Sequence, residues 1–175
     1  GKYEFPISGA DLNEPSPMFY FNHFLNPVAV WGVQDIEGHL EILDGSQHHG
    51  YEDTSVVLGR AYRQALGDKK GIVRAWDLKI PFEGNIAEVS VDLSGRGYCD
   101  LKTEIRDNKL SEMIYHVLMS LTREAGIDFY GRTYGWSDHH QLEGLGKGFG
   151  RAVFYATRVL EQYAGRVIST KGILE

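Results

Sequence analysis

At 175 residues, 42% hydrophobic and 24% charged, the chain is long enough to bury a core and short enough to form one domain or a tightly fused pair. A formal net charge of −6 argues against a general nucleic-acid binder, which needs a basic face, so any anionic ligand must meet a local basic cluster. The single cysteine, Cys99, excludes an internal disulfide, and no apolar run approaches the ~20 residues that span a bilayer. No charged-then-apolar signal segment opens the chain. The expectation is a soluble cytosolic protein; a plastid protein whose transit peptide has been removed would look the same.

Residues 1–20 hold Pro6, Pro15 and Pro17, and this lead-in is expected to be extended and poorly ordered without partners. The aromatic stretch from Phe19 to Val33 carries His23 and is predicted to be a helix interrupted or started near Pro27. His39 to Leu43 alternates like a strand, and Asp44-Gly45-Ser46 ends it in a turn. A helix is predicted from about Gln47 to Gly67, with Tyr51, Val56, Leu58, Tyr62 and Leu66 as its apolar stripe. Strands follow over Ile72 to Ile80 and Ala87 to Leu93. A helix near Leu110 to Ala125, a strand near Ile127 to Tyr134 and a helix from about His140 to Tyr163 complete the chain.

Strands and helices thus recur in matching order, which favours an α+β fold with sheets and paired helices. The repeat covers about 19–93 and 110–165, inside one domain over 1–175.

Six of the seven histidines fall into two copies of one arrangement, a lone His followed by His-His-x-x-Glu. The copies are His23 with His48, His49 and Glu52, and His116 with His139, His140 and Glu143. The paired motifs lie 91 positions apart, and Gly59-Arg60-Ala61 recurs at the same offset as Gly150-Arg151-Ala152. At the head of a helix, His48 and Glu52 share one face while His49 is turned by roughly 100° and aims elsewhere. One motif can therefore serve two ions. Eight donors over two ions give about three imidazoles and one carboxylate each, a set suited to Mn, Fe, Co, Ni or Zn, with positions left open for substrate or water. His39 has Tyr130 at the matching offset and is read as structural.

These residues resemble the imidazoleglycerol-phosphate dehydratase family from about Phe19 to Leu174. The resemblance rests on His48-His49-Gly50-Tyr51-Glu52-Asp53, on the run from Ala65 to Ile72, and on Asp92-Leu93-Ser94-Gly95-Arg96. It continues through Glu112-Met113-Ile114-Tyr115-His116, Asp138-His139-His140-Gln141-Leu142-Glu143 with Lys147, and Ser169-Thr170-Lys171-Gly172. It implies a ribosomal protein S5 domain 2-like fold, two duplicated β/α half-domains with paired helices packed between sheets.

The resemblance further implies two Mn²⁺ ions per active site, held by His23, His48, His49, Glu52, His116, His139, His140 and Glu143. It implies a phosphate grip of Arg74, Arg96, Lys147, Ser169 and Lys171, which supplies the local anion site that an acidic protein needs. Glu83, His49 and His140 are the candidate catalytic groups. The implied reaction removes water from imidazole glycerol phosphate to give imidazole acetol phosphate in histidine biosynthesis. A homo-oligomer is also implied, 24 subunits in the family, with sites shared between chains and no nucleic acid or membrane partner.

The chain departs from the family pattern at Glu83-Gly84, where Asp-Glu is usual, at Pro27 for a Gln, at Gly146 for a Phe, and at Val73 for an Arg. For the acidic residue of the family's N-terminal strand, only Glu4 and Glu14 stand nearby. Two other readings stay open: a paralogue acting on another phosphorylated polyol or azole, and a non-catalytic metal-binding assembly protein.

Overall fold

The computed structural model of the chain describes residues 1–174. The lead-in is ordered by pairing. Strands β1 (Tyr3–Glu4) and β2 (Ile7–Ser8) run parallel to β3 (Ile36–Glu37) and β4 (Leu40–Glu41). The alternating Tyr3, Phe5 and Ile7 pack against the core, which rewards order that the prolines alone would not suggest. Helix α1 (Pro17–Gly32) connects the two sides of this ladder. Ser16 caps α1 by accepting from the Phe19 N–H at 3.1 Å, and Pro17 takes the first helical position, where no N–H is missed. The helix passes through Pro27 rather than stopping there, although this proline removes the N–H that would bond the His23 carbonyl.

Helix α2 (Gln47–Leu66) follows, and then the hairpin of β5 (Ala75–Phe82) and β6 (Asn85–Asp92), turned by Glu83 and Gly84 at positive φ. The second unit is β7 (Tyr98–Lys102), α3 (Asn108–Ala125), β8 (Asp128–Tyr134) and α4 (Asp138–Ala156). Both units therefore read strand, helix, parallel strand, helix. The hairpin belongs only to the second sheet, whose order is β5-β6-β8-β7, antiparallel except for β7 with β8. Among the described residues, no strand lies on the other edge of β3 and β4. Among the described residues, too, no helix is long and apolar enough to cross a membrane.

The helices lie between the four-stranded sheet, which covers α3 and α4, and the short ladders, which lie on α1 and α2. They pair across the repeat: α1 packs on α4 and α2 on α3, so each pair takes one helix from each unit. The duplicated glycines explain how closely they pack. A Cβ on Gly59 would stand 2.5 Å from the Leu121 carbonyl oxygen, and one on Gly150 would stand 2.4 Å from that of Val28. Gly150→Ala is accordingly expected to force α1 from α4 and cost about 1–3 kcal/mol, read as a lowered midpoint in urea unfolding; an unchanged midpoint would show that the contact yields freely.

Two of the departures from the family pattern touch one another. A Cβ on Gly146 would lie 2.7 Å from the Phe24 carbonyl oxygen and 3.4 Å from Pro27 Cγ, so a larger residue at 146 would not fit beside this α1.

Helix α4 ends at Ala156, short of the predicted Tyr163, because the backbone beyond it is claimed by the chain before β5. Arg74 N–H donates to the Ala156 carbonyl at 2.7 Å, Val73 N–H to that of Arg158 at 2.9 Å, and Leu160 N–H to that of Gly71 at 2.8 Å. A 3₁₀ turn at Glu161–Tyr163 leads into the tail.

Candidate functional site

The repeat sets the same local frame for both histidine pairs. Ser46 and Ser137, again 91 positions apart, cap α2 and α4 by accepting from the N–H of His49 at 3.3 Å and of His140 at 3.2 Å. This Ser-x-His-His start is a signal that the helix-stripe reading passes over. Each pair is thereby pinned in the first turn, with the first histidine and the glutamate four residues on along one face.

Two groups of three donors result, and both cross the repeat. His23 from the middle of α1 meets His139 and Glu143 of α4, while His116 of α3 meets His48 and Glu52 of α2. Within each group one ligand atom per residue lies within 4.8 Å of the others. The rings of His23 and His139 are 4.5 Å apart between centroids, and those of His48 and His116 are 4.9 Å apart. His48 Nε2 is 3.0 Å from Glu52, and His23 Nε2 is 3.4 Å from Glu143. Two imidazoles and a carboxylate converging on one point fit a divalent transition metal, and His116 Nδ1 is buried without a hydrogen-bond partner.

The second histidine of each pair stands outside these groups. His49 is exposed and bonded to Asp44 at 2.5 Å, whose carboxylate holds the imidazole pKa above its ordinary value. His140 sits against Phe82 and Trp136, with its Nε2 3.6 Å from the Glu83 carboxylate and its Nδ1 buried and unpartnered. Of the three candidate catalytic residues, Glu83 and His140 are thus neighbours and His49 is apart.

The two groups differ in charge. Lys147 Nζ lies 2.8 Å from Glu143 Oε1 and over the Phe82 ring at 3.4 Å, whereas the position matching Lys147 in the first unit is Val56. Burial pushes the Glu143 carboxyl up, but the hydrogen bond and charge of Lys147, with His23 behind them, outweigh it and hold the pKa below the ordinary range.

Four of the five phosphate candidates come together elsewhere. Arg74, Arg96, Ser169 and Lys171 line a pocket of about 450 Å³ with Ser94 and Thr170. Arg74 is held by both oxygens of Asp92, at 2.7 and 2.8 Å, and also donates to the Ile168 carbonyl, so it fixes the tail that carries Ser169 and Lys171. Arg96 is 63% exposed, 3.5 Å from Asp128, and free to turn toward an anion. Lys147 is not in this pocket.

The pocket and the donors occupy opposite ends of the helices. His139 is in the first turn of α4, and Arg74 is bonded to Ala156 in its last, a separation of about 25 Å at 1.5 Å per residue.

Comparison with known proteins places this arrangement. The family model for imidazoleglycerol-phosphate dehydratase matches residues 17–153. The imidazoleglycerol-phosphate dehydratase of Clostridium botulinum (strain Langeland) is 39% identical over 166 residues, covering 89% of this chain and 82% of the relative. That of Dehalococcoides mccartyi (strain CBDB1) is 36% identical over 160 residues, covering 89% and 81%. Among solved structures, the Pyrococcus furiosus enzyme superposes with a TM-score of 0.77 at 24% identity over 99% of this chain and 92% of that one. The Staphylococcus aureus enzyme gives 0.66 at 25% identity over 81% and 84%. The duplicated histidine motifs, the α+β arrangement that carries them and these matches over most of the chain agree: it belongs to the imidazoleglycerol-phosphate dehydratase family.

Proposed function

We propose that the chain is a metal-dependent hydro-lyase that converts imidazole glycerol phosphate to imidazole acetol phosphate in histidine biosynthesis, using two Mn²⁺ ions. The observation that carries this reading is the pair of donor groups, each built from a lone histidine of one unit and a His-x-x-x-Glu of the other. When bound, the ions would supply Lewis-acid chemistry toward the imidazole ring of the substrate.

The chain's own residues hold the rest. Arg96, Ser169 and Lys171, with Arg74 steadied by Asp92, are suited to grip the phosphate through charge-assisted hydrogen bonds. Glu83, whose carboxylate lies 3.6 Å from His140 Nε2, is suited to take and hold the proton that leaves carbon.

A substrate of one imidazole ring, three carbons and a phosphate spans roughly 10 Å at about 1.5 Å per bond. It cannot bridge a separation of about 25 Å along α4. We therefore assign the phosphate pocket of one chain to the metal donors of another, in a homo-oligomer. His49 and His140, turned away from their own groups, then become donors to ions shared with a neighbour, which restores the three imidazoles per ion that the motif count requires.

The test is turnover. Metal-stripped protein reconstituted with Mn²⁺ is expected to form imidazole acetol phosphate, and the metal-free control is expected to form none. A fully metallated protein that gives no product would turn the reading toward another phosphorylated substrate.

A further inference from the structure

The repeat copies the metal donors but not the groups behind them. His139 Nδ1 lies 3.2 Å from Glu14 Oε1, and the same oxygen accepts from the Tyr20 hydroxyl at 2.8 Å. His48 Nδ1 lies 2.9 Å from the Tyr51 hydroxyl. With Nδ1 engaged on both rings, Nε2 is the nitrogen left for an ion. Those atoms face the carboxylates of their own groups, at 3.0 Å for His48 and Glu52 and 3.9 Å for His139 and Glu143. At the 91-residue offset Tyr51 is matched by Leu142 and Glu14 by Ile105, both buried in the core, so neither outer partner has a counterpart in the other unit.

We propose that Glu14 and Tyr51 are positioning residues that fix the Nδ1–H tautomer of His139 and His48, and that a carboxylate behind one ring and a phenol behind the other make the two metal sites unequal. The inference rests on the two-ion reading above. An imidazole N–H bonded to a carboxylate makes a charge-assisted bond roughly twice as strong as one to a neutral oxygen. It also raises the basicity of the opposite nitrogen and steadies the charge that the ring takes on when it binds an ion. Tyr20 keeps Glu14 from swinging away, because its hydroxyl donates to the same carboxylate oxygen at 2.8 Å. Lys147 acts in the opposite sense in the same site, since its charge, held on Glu143 Oε1, opposes a cation at the Oε2 that faces the two histidines. Absolute affinities therefore mix two effects, and single variants separate them.

The experiment is an equilibrium Mn²⁺ titration of the metal-stripped, assembled full chain, counting free Mn²⁺ by its spin-resonance signal, for wild type, Glu14→Gln and Tyr51→Phe. Both substitutions keep the shape of the side chain, and circular dichroism of the metal-free proteins checks folding. Two ions per chain are expected for wild type. Glu14→Gln is expected to weaken one ion by about 10–100-fold and leave the other, and Tyr51→Phe to weaken the other by less. Co²⁺ absorption supplies a signature that a merely structural role would not move: each variant should shift the bands of one site only.

If both variants bind both ions as wild type does, or lose them equally, the proposal is overturned. If wild type itself takes up no ion, the two-ion reading falls and this inference with it.

Discussion

Exchange of His48 for alanine is expected to cost the chain one of its two ions, and His139→Ala to cost it the other. Among the described residues each group has two imidazoles and one carboxylate, so losing one imidazole removes a third of the local donor set. Loss of a group that merely hydrogen-bonds a ligand costs about 10–100-fold in metal affinity, so loss of a direct ligand is expected to exceed 100-fold. Turnover should fall with the ion. Metal analysis after dialysis against micromolar Mn²⁺ reads the first effect, and product formation reads the second. Full occupancy in both variants would show that His48 and His139 are not ligands, whatever their geometry.

Mixing two inactive variants is expected to restore activity. His139→Ala disables the metal end of a chain, and Arg96→Ala with Lys171→Ala disables its phosphate end, each expected to leave little turnover alone. If the site is shared, a mixed assembly pairs the intact metal end of one chain with the intact phosphate end of another, at roughly a quarter of sites by random assortment. The mixture is made by dissociating and reassembling the variants together, and its turnover is compared with that of each variant treated alone. Activity no greater than that of the better parent would place both ends of the site within one chain and contradict the length argument drawn from α4.

The donor set is legible in the sequence because duplication repeats side-chain types at a constant offset. The groups themselves are not, because the offset marks equivalent positions while the contacts join non-equivalent ones: His23 meets His139 rather than His48, and His116 meets His48 rather than His139. The relation of His48 to Glu52 and the outward turn of His49 follow from helical spacing alone, and the structure has both.

The lead-in escaped because its prolines mask the alternation of Tyr3, Phe5 and Ile7, which becomes meaningful only beside β3 and β4. The end of α4 escaped because Phe154, Tyr155 and Leu160 continue a helical stripe while the chain just before β5 takes over the backbone there. Glu14 lies outside the duplicated pattern altogether, so no spacing rule could connect it to His139, whereas Tyr51 follows His48 by three residues and shares its helix face.

The crossing of the helix pairs has a mechanical consequence. Since α1 leans on α4 and α2 on α3, neither unit owns a complete helix pair, and the chain has no seam along which one half could open while the other stays intact. Both donor groups straddle that same boundary, so any slippage between the halves detunes the two together. The geometry of each group thus registers how the two halves are seated against one another.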